Sequence, residues 1–226
     1  MTRPEPVWWR PLATVAAGLA VISFVSLHLV MASIVDPLRQ PVSSYALTAP
    51  GDVLFAMGSF SLAAACLLAA LFAPGLPRGD GLIRVLLAGS ALMLVLVVVF
   101  RTDRSDAVLS ISGEIHRWSA GVAFGMLTAV GAGWAWWGRG TVTGRWATVL
   151  TAVGAVALLA IVVTTFTPDL VAGRQWRGLP QRALLLVQTL WLAVLVAPTE
   201  QFRSATARRV VRPRTLTLGS TGELVR

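Results

Sequence analysis

The side chains able to do chemistry are few. The chain has two histidines, His28 and His116, and three aspartates recur at nearly equal spacing, Asp36, Asp103 and Asp169. These five are the catalytic candidates, and His28, His116 and Asp103 are the candidate metal ligands. A hydrolytic zinc needs three protein ligands of this kind and an open position for water. The chain contains no His-x-x-x-His and no His-Glu-x-x-His, so such a site exists only if folding brings distant residues together. Haem ligation would need both histidines at one depth. Serine catalysis lacks its usual frame, because Ser43 and Ser44 are not in a Gly-x-Ser-x-Gly turn. A second chemistry is anion binding. Arg174, Arg177 and Arg182 cluster near the last apolar segment, and guanidinium holds phosphate oxygens in pairs. They are the candidate lipid-headgroup residues. The plainer reading is that aspartates pair with nearby arginines to fix loops, and that each histidine bonds a neighbour's backbone carbonyl.

The elements that must position these residues are written in the composition. Of 226 residues, 56% are hydrophobic and 13% charged, where a soluble domain carries about 25% charge. The mean hydropathy is +0.74. Disordered, collagen-like and disulfide-built classes are excluded; the one cysteine, Cys66, sits in an apolar run. Six segments, about 12–35, 53–73, 82–100, 117–137, 146–166 and 180–197, are apolar enough to be helices crossing a bilayer core, which takes about 20 residues. The expected fold is all-α, a polytopic membrane bundle of six transmembrane helices over residues 12–197. Residues 1–11 and the arginine-rich tail 198–226 flank it. The first segment is too long for a signal peptide and ends in Asp36-Pro37, so it is expected to remain as an anchor. His28, eight residues before Asp36, would lie roughly 12 Å inside the boundary if the helix ran that far.

Every basic residue besides histidine is arginine, 19 in all. Alternating sides of the six segments carry twelve and seven of them, against four and six acids. Basic loops stay in the cytoplasm, which puts both termini inside the plasma membrane and the histidine–aspartate set outside. Trp8, Trp9, Trp134, Trp136, Trp137 and Trp146 would anchor the inner surface, with Trp118 and Trp176 at the outer one. The tail arginines would lie on anionic lipid, each contributing about 1 kcal/mol; nucleic acid is not an expected partner despite the net charge of +9.

The segments also read as three similar hairpins. Gly113 to Arg117 and Gly178 to Arg182 repeat Gly-x-x-x-Arg at a returning helix, while Gly51 is followed by Phe55 at the arginine's place. Gly121-x-x-x-Gly125 and the stripe Gly58, Ser61, Ala65 would let neighbouring helices approach closely.

Asp36-Pro37, the loop Arg39-Gln40-Pro41-Val42-Ser43-Ser44-Tyr45, Phe100-Arg101-Thr102-Asp103, Gly113-Glu114-Ile115-His116 and Gly178-Leu179-Pro180-Gln181-Arg182 resemble the bacterial and archaeal "domain of unknown function 998" membrane proteins over roughly residues 12–197. The resemblance implies a six-span integral membrane protein without assigned activity. It also implies that the fold or function uses Asp36, Ser43, Asp103, His116 and Arg182. Arg101 departs from the Phe-Pro-x-Asp that the family often shows, which puts a rigid turn there in doubt.

The preferred expectation is a non-catalytic, lipid-associated or partner-stabilising component, with membrane lipids or another membrane protein as partner and no cofactor. The alternatives are a lipid-directed hydrolase at the outer mouth, with a metal in one version, and a small-solute transporter. Transport is disfavoured because no span is broken or carries a carboxylate in its body.

Overall fold

The structure is a computed structural model that describes residues 6, 8–73, 80–104, 110–137, 142–167 and 176–196. Among the described residues six α-helices run antiparallel in sequence: α1 (Trp9–Val30), α2 (Gly51–Phe72), α3 (Asp80–Val99), α4 (Ile111–Trp137), α5 (Val142–Phe166) and α6 (Gly178–Val196). A short 3-10 helix, Val42–Leu47, lies between α1 and α2. Five of the helices are long and apolar enough to cross a membrane, so the chain is a multi-pass membrane protein. The exception is α4. It is the longest at 27 residues, but five glycines, Glu114 and Arg117 dilute its apolar content.

Each helix packs on the next, and α6 closes the set against α1 while also touching α2 and α4. Small residues make the close contacts. On α1 the inward stripe is Trp9, Ala13, Ala17, Ala20, Phe24 and Leu27, and the Phe24 ring lies on Gly58 of α2. The opposite face of α1 is just as apolar but open: Leu12, Val15, Leu19, Ile22 and Leu29. In water so large a greasy surface would aggregate; against lipid it costs nothing, because hydrocarbon is the solvent there.

Lipid imposes a second condition, that no backbone carbonyl be left unpaired at a helix end. For α2 and α3 the next helix supplies the donor. Arg84 of α3 reaches back to the last turn of α2, donating to Ala70 O at 2.6 Å and Ala73 O at 2.8 Å. His116 of α4 does the same for α3.

Several expectations are corrected. α1 stops at Val30, five residues before the apolar run ends, and residues 31–35 turn. His28 therefore sits in the last turn of α1 rather than two turns inside. α4 begins at Ile111 because Ser110 caps it, its Oγ accepting Gly113 N–H at 3.0 Å. Gly121 and Gly125 meet no neighbour: a Cβ at either would enter open space. Trp9 is buried at 1% exposure and faces the bundle, whereas Trp8, Trp118, Trp136, Trp146 and Trp176 are exposed, as a membrane belt requires. Asp106, Asp169, Arg174 and the tail 198–226 lie outside the described residues.

Candidate functional site

The antiparallel order brings the ends of α1, α3 and α5 and the starts of α2, α4 and α6 to one side of the bundle. The two histidines lie there, in two different settings.

The first setting is a closed knot. Asp36 Oδ1 accepts Leu38 N–H at 2.9 Å and Arg39 N–H at 3.3 Å, folding the chain into a tight turn after α1. The turn docks on the first residues of α6, where Gly178 N–H and Leu179 N–H both reach Leu38 O. Gly178 has to be glycine. A Cβ there would lie 2.5 Å from Pro37 O and 2.6 Å from Gln40 O. Into this contact Arg182 extends from the first turns of α6. Its Nη1 donates to those same two carbonyls, at 2.7 and 2.6 Å, its Nη2 to Tyr45 Oη at 3.2 Å, and its Nε to His28 Nε2 at 2.9 Å. The guanidinium also lies 5.4 Å from the Tyr45 ring centroid, within cation–π range.

These bonds determine the state of His28. Arginine has only donors, so Nε2 must carry the lone pair. Nδ1 lies 2.6 Å from Phe24 O, which only accepts, so Nδ1 carries the hydrogen. Both nitrogens of His28 are engaged. Its ring packs edge-on against Tyr45.

The second setting is open. His116 is 4% exposed, and its Nδ1 lies 2.8 Å from Val97 O and 3.0 Å from Phe100 O. Both are acceptors, so Nδ1–H donates to the end of α3. Phe55 of α2 stacks on the ring with centroids 6.4 Å apart. Nε2 is the nitrogen left with a lone pair. Beside it, Asp103 receives Ser110 N–H at 2.9 Å and Ser110 Oγ–H at 2.8 Å, so this carboxylate anchors the start of α4. It lies so close to Gly113 that a Cβ would overlap it.

His116 and Asp103 belong to the wall of a cavity of about 370 Å³, a size at which small-molecule sites begin. The wall comes from α4, α5, the start of α6 and the loops before them. Its polar groups gather at the loop end: Ser43, Asp103, His116, Arg117, Arg177 and Gln181. Its floor is apolar: Ala120, Gly121, Phe124, Leu158, Ile161 and Val162. The open space beside Gly121 is this cavity, and so the Gly-x-x-x-Gly spacing marks a bare helix surface rather than a tight helix contact. Sequence reasoning missed Gln181, which stands in the first turn of α6 and lines the same cavity.

The candidates thus divide. His28 and Arg182 join Asp36's turn in the knot, whereas His116, Asp103 and Arg177 meet at the cavity. His28, His116 and Asp103 do not converge, and among the described residues no three of His, Cys, Asp and Glu lie together as metal ligands. Asp169 and Arg174 lie outside the described residues.

A family model described as "Protein of unknown function (DUF998)" matches residues 14–198. No curated protein and no solved structure matches the chain.

Proposed function

The chain belongs to the DUF998 family, whose description assigns no activity, and from that premise we propose that it is a non-catalytic lipid-associated protein of the plasma membrane, holding an amphiphile in the cavity beside His116. The observation that carries this reading is the distribution of polarity in that cavity. A charged and hydrogen-bonding rim sits over an apolar floor between helices, which is the shape of a headgroup followed by its chain. The rim arginines are Arg117 and Arg177, with Arg174 the further candidate from the same loop.

On this reading α4 is the sixth span, since its 27 residues exceed what a bilayer core requires. The side with twelve arginines is cytoplasmic, and the cavity opens toward the outer leaflet. The three hairpins are repeats: each returning helix opens on a glycine pressed by the loop before or beside it, Gly51 by Tyr45 O, Gly113 by Asp103 and Gly178 by Pro37 O.

A cavity-filling variant tests the lipid site. In Gly121→Phe the new ring has room to enter the hollow without a backbone clash. Lipid co-purifying with the protein, measured by mass spectrometry, is expected to fall by about tenfold while thermal stability holds. Unchanged lipid would sink the proposal. One observation favours the rival reading of a lipid-directed hydrolase: Ser43, Asp103 and His116 line one cavity. Lipid cleavage by the purified protein, lost in Ser43→Ala, would establish it.

A further inference from the structure

Helices α4 and α5 touch at one end and part at the other. A Cβ on Gly131 would lie 2.8 Å from Thr151 Oγ1, so there the two helices are in contact. Nearer the start of α4, a Cβ on Gly125 or Gly121 would meet nothing. The wedge opened between the helices is the cavity of about 370 Å³ beside His116. Its lining on α4 runs from Gly113 to Phe124, about 16 Å along the axis at 1.5 Å per residue. On α5, which runs the other way, it extends from Thr165 to Leu158. That depth is roughly half of a bilayer core about 30 Å thick, hence one leaflet.

The deep end is shut. Gln188 of α6 donates from Nε2 to Phe124 O at 2.9 Å and to Thr128 Oγ1 at 3.1 Å, tying α6 to α4 just past the last lining residue. The flank is open. Trp118 and Val122 of α4 and Val162 of α5 line the hollow and are also exposed, so it gives sideways on the surrounding hydrocarbon. A wedge of this kind does not stay empty in a membrane, because its walls would forfeit the contacts that a packed interior provides. Water does not suit the deep part, where Ala120, Phe124, Leu158 and Ile161 bring no side-chain donor or acceptor.

We infer that the hollow is a one-chain site that measures its occupant: it takes a single acyl chain of a membrane amphiphile, entering from the lipid between α4 and α5, and prefers a chain of about fourteen carbons. This deepens the lipid reading above and rests on it. The length follows from the volume. A dry apolar cavity of about 150 Å³ accepts one benzene ring, and at that density the hollow accommodates roughly fifteen carbon atoms. One chain uses that space and a second finds none, so the other chain of a diacyl lipid stays outside in the bilayer. A shorter chain leaves the shut end void, and a longer one has to fold back, since Phe124 and Leu158 close the way. The bilayer itself imposes no such optimum, because hydrocarbon there yields on all sides. The selection needs neither a free charge nor a free hydrogen-bonding group at the rim.

The test uses the full chain in lipid nanodiscs with native mass spectrometry. The probes are lysophosphatidylcholines of ten, fourteen and eighteen carbons, compared at equal mole fraction in the bilayer. The fourteen-carbon probe is expected to bind about tenfold tighter than the ten-carbon one, the effect of the void left at the shut end, and also tighter than the eighteen-carbon one. Leu158→Ala removes three carbons at the deep end and should shift the optimum toward the eighteen-carbon probe; Gly121→Phe should weaken all three. Binding that is equal for the three probes or climbs steadily from ten to eighteen carbons overturns the chain-length inference while a lipid site stands. An optimum that does not move in Leu158→Ala overturns it equally. Binding of none, or binding indifferent to Gly121→Phe, fails the underlying lipid reading instead. A dimer that Gly121→Phe dissociates would mean that a helix of a second copy fills the wedge, and would overturn the lipid assignment.

Discussion

His28 and His116 lie on the same side of the bundle and each gives Nδ1–H to a helix carbonyl, yet they have opposite surroundings. His28 meets an arginine at its second nitrogen; His116 forms part of a cavity wall. The first has no capacity left, and its worth is to hold α1, the following loop and α6 together. The second bonds α3 through one nitrogen and lines a cavity. A polar residue at a membrane protein's mouth is thus read by what remains after its neighbours are served. Arg182, expected to hold lipid, is occupied in the knot, whereas Arg117 and Gln181 line the cavity.

The contrast can be broken by substitution. The largest effect is expected from Arg182→Gln, which leaves His28 Nε2, Pro37 O and Gln40 O without their donor. At about 1 kcal/mol or more per abandoned acceptor, a loss of about 3 kcal/mol should appear as a marked drop in thermal midpoint in detergent. Lipid per folded molecule should hold, and a fall out of proportion to stability would merge the two regions. His28→Ala comes next, at about 1–2 kcal/mol, since Arg182 keeps its carbonyl partners; again lipid recovery is the readout that should not move. His116→Phe preserves the stack on Phe55 but removes the donor to α3. It should cost about 1–2 kcal/mol and, unlike His28→Ala, also lower the lipid recovered with the protein. Should the two histidine variants behave alike in lipid binding, the distinction fails.

The smallest effect belongs deeper, between α4, α5 and α6. Thr151 Oγ and Gln188 Oε1 are buried there without partners beside a void of about 10 Å³, although Gln188 Nε2 donates to Phe124 O at 2.9 Å. Thr151→Val removes an unpaired hydroxyl at nearly constant shape and should leave stability equal or higher, within about 1 kcal/mol. A clear loss would mean that the hydroxyl holds a bridging water.

Much of the helical layout was legible because hydropathy is local information: the expected segments fall on the six α-helices, and helix ends shift by a few residues. The shifts have causes that a window of residues does not carry. α1 ends early because the turn made by Asp36 must meet Gly178, a partner far away in the chain. Arg182 looked like a surface arginine for the same reason, since its four acceptors come from α1 and the loop after it. Gly121 was misread because a glycine spacing says that a helix surface is bare without saying whether a neighbour fills it. The pairing of His116 with an aspartate beside a polar mouth was recoverable in outline. The division of labour between the histidines was not, because it depends on which lone pairs other residues leave unspent.

The way the ends of α2 and α3 are closed by the helix that follows carries a consequence for biogenesis. Arg84 seals α2 and His116 seals α3, so these spans become compatible with hydrocarbon soon after the ribosome has delivered their successors. The bond from Arg182 to Pro37 spans 145 residues and forms only when the final helix arrives. That contact is therefore a completion latch: until α6 enters, the loop after α1 lacks its clasp, and a stalled chain would present that loop, unclasped, to quality control.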